Sequence, residues 1–83
     1  MSAKEMFEEL GYHEAYEHNN IITYHKEEHN PYILYGFEFV LNHEFISCYR
    51  KVGNKFNYGA VNLSLEELKA INKQIEELGW NNE

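Results

Sequence analysis

The chain has 83 residues, with 7 lysine and arginine side chains against 14 acidic ones, for a formal net charge of −7. That length makes a single domain, 1–83, with a thin stability margin, and a lone cysteine, Cys48, closes no internal disulfide. So acidic a surface repels phosphates and argues against direct nucleic-acid binding, and no apolar run approaches the ~20 residues of a membrane span.

The elements follow in chain order. Ser2 opens a capping box with Glu5; Met6, Phe7 and Leu10 follow at helical spacing, and Gly11 sits where a left-handed residue closes a helix. Tyr12 to Glu17 predicts a first strand, joined through His18-Asn19-Asn20 to a second over Ile21 to Lys26. Glu27 to Pro31 is polar, ends at the sole proline and reads as a turn. Ile33, Tyr35, Phe37, Phe39 and Leu41 alternate, which predicts a third strand with one buried face. After an Asn42-His43 turn, Glu44 to Arg50 returns as a fourth. Val52 to Asn62, with two Gly and three Asn, reads as an irregular connection with room for a short extra strand over Phe56 to Tyr58.

The C-terminal helix is the best specified element. Ser64 and Glu67 form a second capping box, and Leu63 is placed to staple against Leu68. Leu65, Leu68, Ile71, Ile75 and Leu78 make one apolar stripe. Gly79 ends the helix, and Trp80 can fold back onto Ile75 in a Schellman closure. The order α-β-β-β-β-α predicts an α+β two-layer sandwich: an antiparallel β-meander of about four strands, flanked by N- and C-terminal helices on one face.

Histidines are the first candidates for chemistry. A three-residue hairpin loop at 18–20 sets His13 opposite His25, with His29 in the turn just beyond. The same register gathers Tyr12, Tyr16, Ile22 and Tyr24 on the opposite, helix-facing side. His13, His25 and His29, with Glu14, Glu27 or Glu28 as fourth ligand, could hold Zn²⁺ at ~2.0–2.1 Å. Against that stand the lack of HExxH or CxxC and the simpler reading of solvated surface histidines. Cys48 pairs near Phe37, apart from the histidines, and reads as a buried small hydrophobe rather than a nucleophile.

The acids are all Glu and come in pairs: Glu8-Glu9, Glu27-Glu28, Glu66-Glu67 and Glu76-Glu77. Solvation and complementing the helix dipole explain most of them. The functional alternative is that Glu66, Glu67, Glu76 and Glu77 meet a basic patch on a protein partner or mimic nucleic-acid phosphates. The outer sheet face offers a second contact surface, with Tyr32, Leu34, Val40, Phe45 and Tyr49 around Gly36, unless the 52–62 connection covers it. No Gly-rich phosphate loop, nucleophile elbow or Ser/His/acid constellation is present, so the sequence predicts a protein that is not an enzyme.

Met6-Phe7-Glu8-Glu9-Leu10-Gly11-Tyr12 near the start, and Leu65-Glu66-Glu67-Leu68-Lys69-Ala70-Ile71-Asn72-Lys73-Gln74-Ile75-Glu76-Glu77-Leu78-Gly79-Trp80 at the end, resemble a family of short proteins. These are encoded in phages and prophages of Gram-positive bacteria, and most have no assigned activity. The strand-rich middle is similar more loosely. Small acidic phage proteins of this kind include anti-defence factors, among them anti-CRISPR proteins that bind an RNA-guided nuclease and stop it engaging DNA. The resemblance implies a cytoplasmic inhibitor in the host cell, with a type II CRISPR nuclease as protein partner, and it carries over no functional residue. The alternative is a small zinc-binding or accessory phage protein without an inhibitory role.

Overall fold

Two capping boxes fix where the helices begin. The computed structural model describes residues 1–57 and 61–80, with backbone alone for residues 16–18. In α1 (Ala3–Glu9) the Ser2 hydroxyl accepts from the Glu5 N–H while the Glu5 carboxylate accepts from the Ser2 N–H. Ser64 and Glu67 repeat the arrangement at the start of α2 (Leu65–Leu78). Each box satisfies two orphan donors and contributes about 1 kcal/mol through its N-cap. Both helices also end alike. Gly11 (φ 93°) lets the Tyr12 N–H donate to the Phe7 carbonyl, and Gly79 (φ 75°) lets the Trp80 N–H donate to that of Ile75. These are the Schellman bonds the two glycines imply.

Between the helices, five strands form one antiparallel meander in chain order: β1 (His13–His18), β2 (Ile21–Glu28), β3 (Ile33–Val40), β4 (Phe45–Val52) and β5 (Lys55–Asn57). The fold is α+β, with five strands rather than about four. β5 is the short strand within the 52–62 connection, paired to the end of β4. Tyr58, its expected end, and the Tyr16 side chain lie outside the described residues. β2 continues two residues past its apolar pattern because Glu27 and Glu28 pair with Leu34 and Ile33. The turn therefore falls at 29–32, with Asn30 at φ 64°. The first hairpin turns on Asn19-Asn20 alone, not on three residues. A bulge between Glu14 and Glu17 then shifts the register, so His13 still stands opposite His25. Phe37 pairs with Cys48.

The core lies between the sheet and the two helices. Phe7, Tyr12, Tyr24, Phe37, Phe39, Ala70 and Ile71 form its buried cluster, with Phe7 stacked on Tyr24 at 4.2 Å. The helices run antiparallel, since the Ala3 N–H at the start of α1 donates to the Glu77 carboxylate near the end of α2. α2 lays only the later part of its expected apolar stripe on the core, where Ile71 is buried and Ile75 and Leu78 pack against the cluster. Its buried residues are Ala70, Ile71 and Gln74, whereas Leu65 and Leu68 are 61% and 42% exposed. Two tyrosine hydroxyls account for the polar residues on the inward side of the helix. Tyr24 donates to Gln74 Oε1 at 2.7 Å and Tyr12 to Glu67 Oε2 at 2.5 Å, which gives polar residues of the helix partners on the inward side.

The opposite sheet face is partly buried too, and this corrects the expected contact surface. Leu34 and Tyr49 are only 9% and 5% exposed, so neither is a surface position. The Tyr49 ring lies over Gly36, where a Cβ would overlap it, and Phe56 from β5 packs edge-on against that ring. Tyr32 and Phe45, from the same expected set, are exposed. Glycine at position 36 is what admits the aromatic ring across the ladder.

Candidate functional site

One ladder on the helix-facing side of the sheet departs from the apolar core. Lys26 of β2 pairs with Tyr35 of β3, which pairs with Arg50 of β4. The Lys26 ammonium and the Arg50 guanidinium each lie 4.9 Å from the Tyr35 ring centre, and Lys26 is equally close to the Tyr12 ring. Such contacts offset part of the cost of withdrawing a cation from water. The first turn of α2 brings Glu67 over this ladder. Together Tyr12, Lys26, Tyr35, Arg50 and Glu67, with Val61 and Asn62 from the approach to α2, line a cavity of about 130 Å³.

Burial and hydrogen bonding set the protonation of Tyr12 and Glu67 there. Burial pushes the Tyr12 phenol well above its ordinary value, and its hydrogen bond to Glu67 pushes the same way. Burial also raises Glu67, but the Ser64 N–H, the Tyr12 hydroxyl, the Ser64 hydroxyl and Lys26 together hold it below the usual carboxylate value. Tyr12 therefore stays a donor and Glu67 an ionised acceptor. The Arg50 Nε–H is buried and makes no hydrogen bond among the described residues. The sequence does hold a signal for this site: the alternation that turns Tyr35 inward does the same for Lys26 and Arg50. Reading the face as apolar hid two cations at inward positions.

The sequence-predicted sites disperse. His13 and His25 are backbone partners, as expected, and burial followed by the charge of His13 lowers the His25 imidazole. His25 Nε2 lies 2.6 Å from the Tyr49 hydroxyl, while His29 sits in the turn with its ring against Tyr32. Among the described residues no three His, Cys, Asp or Glu side chains are placed to hold a metal. The zinc expectation thus rests on two facing imidazoles. Cys48 is kept from the histidines by the sheet itself, on the helix-facing side, where burial raises its thiol. Of the four glutamates expected to meet a partner, Glu67 caps α2 and Glu77 ties α1 to it. Glu66 is exposed, and Glu76 reaches Lys73 at 3.4 Å.

The fold defines an α+β two-layer protein with a five-stranded antiparallel meander. No protein-family model, curated protein or solved structure matches the chain. Among the described residues no helix is long and apolar enough to cross a membrane.

Proposed function

We propose that the protein is a non-enzymatic binding protein that inhibits a bacterial defence target by occupying it, through the outward face of α2. The observation that carries this reading is the exposure of Leu65 and Leu68, with Leu63, on a helix whose inward side is filled by Ala70, Ile71 and Gln74. At about 3.6 residues per turn, Leu65, Leu68, Asn72 and Glu76 share the side away from the sheet. Apolar side chains rimmed by carboxylates fit a partner groove with an apolar floor and basic walls. The net charge of −7 favours a basic partner in the same way. Surfaces that engage DNA are basic, so a protein seated on one keeps DNA out. The resemblance of both chain ends to small phage proteins supplies the target class, a type II CRISPR RNA-guided nuclease.

The test measures binding to a guide-loaded type II nuclease and DNA cleavage by it. Binding should weaken steeply as salt is raised, and Glu66→Lys with Glu76→Lys should slow association. Leu65→Glu with Leu68→Glu should abolish inhibition at an unchanged melting temperature. Neither binding nor inhibition at low salt removes the nuclease as target. Binding indifferent to salt removes the acidic contribution.

A further inference from the structure

We propose that the cavity beneath the first turn of α2 is a binding site for a small carboxylate, gripped by Arg50 and Lys26. The Arg50 Nε–H is withdrawn from water and has no acceptor among the described residues, and the guanidinium that carries it belongs to the cavity wall. Neither Lys26 nor Arg50 forms an ion pair among the described residues. Glu67, the carboxylate on the cavity wall, already accepts from the Tyr12 hydroxyl and the Ser64 N–H. Lys26 is a positive neighbour of Glu67 without contacting it as an ion pair, so both cations keep N–H donors for an acceptor that enters.

Charge and shape narrow the ligand. Lys26 and Arg50 against Glu67 leave one positive charge on the wall, which matches a monoanion better than a phosphate dianion. The planar guanidinium suits the two oxygens of a carboxylate. The lining is mostly polar, with Tyr35, Phe37 and Val61 contributing a small apolar part that suits only a short aliphatic stem. A volume of about 130 Å³ is well below the ~300–1,000 Å³ of pockets for drug-sized ligands, so the occupant has few heavy atoms. Asn62 is exposed and lies on the lining, which marks the side open to solvent.

Arg50 is the sole arginine, so its Nε–H gives a single resonance in a nitrogen-15 spectrum. Sodium acetate added to the protein, with sodium chloride balancing ionic strength, should move that resonance saturably. Inorganic phosphate should bind more weakly at the same pH. Lys26→Gln should raise the acetate Kd about tenfold, the loss of one charge-assisted hydrogen bond, and Lys73→Gln should leave it unchanged. Arg50 also packs on Tyr35, so the parent titration and Lys26→Gln decide the matter rather than removal of Arg50. An Arg50 resonance that does not saturate with acetate, or follows chloride equally, overturns the site. Phosphate binding as tightly as acetate overturns the assignment to carboxylates.

Discussion

Tyr49 of β4 occupies the space above Gly36 of β3 that a side chain there would need, and this brings its hydroxyl within 2.6 Å of His25 Nε2 on β2. Gly36→Ala should therefore force the ring aside and destabilise the protein by about 1–3 kcal/mol, the usual range for overpacking. Urea denaturation measures it. In a Tyr49→Ala background the penalty should largely vanish, since the two residues are in contact and their effects are not additive. A Gly36→Ala protein with the parent's midpoint contradicts this arrangement.

His25 sets a pH dependence with a definite sign. Burial, then the charge of His13, lowers it from 6.5, while Glu38 and Glu27 pull the other way. The unfolded chain thus binds the proton more readily than the folded one. The stabilisation is complete above the unfolded value and is lost as pH falls through the folded one. Denaturation midpoints taken from about pH 7 to about pH 5 should fall less steeply in His25→Gln. Equal slopes for the two proteins would exclude His25 as the source.

Gly79 stands at φ 75°, where a branched Cβ is penalised, and Trp80 follows it against Phe39 at 6.4 Å between rings. Gly79→Val should cost about 1–2 kcal/mol and loosen the closure. Acrylamide should quench Trp80 fluorescence more efficiently in that variant than in the parent. Unchanged quenching with unchanged stability counts against the Schellman closure as the anchor of Trp80.

The two tyrosine bonds that orient α2 differ in burial, and their removal should differ accordingly. Gln74 is buried whereas Glu67 retains solvent contact. Tyr24→Phe leaves a buried amide without its donor, for a loss of about 1–3 kcal/mol. Tyr12→Phe should cost less, because water can replace the lost donor at Glu67. Pairing Tyr24→Phe with Gln74→Leu should recover part of the loss. Equal costs for the two tyrosines would show that burial does not separate them.

What the sequence by itself determined is local. The capping boxes at Ser2-Glu5 and Ser64-Glu67, the closures at Gly11 and Gly79, and the inward alternation of Phe37 and Phe39 were all legible, because each rule acts within a few residues. The His13–His25 pairing was legible as well, although a bulge and a shorter loop produce it rather than the three-residue loop alone. Tertiary structure decided the rest. Leu65 and Leu68 face outward because Tyr12 and Tyr24, 55 and 50 positions from their partners, hold Glu67 and Gln74 against the sheet. Tyr49 is buried on the outer face because its ring fills the gap at Gly36 and Phe56 of β5 packs against it. Lys26 and Arg50 share a cavity only because separate strands carry them to either side of Tyr35. No pattern within one segment encodes those contacts, since each depends on hydrogen bonds or ring packing between elements far apart in the chain.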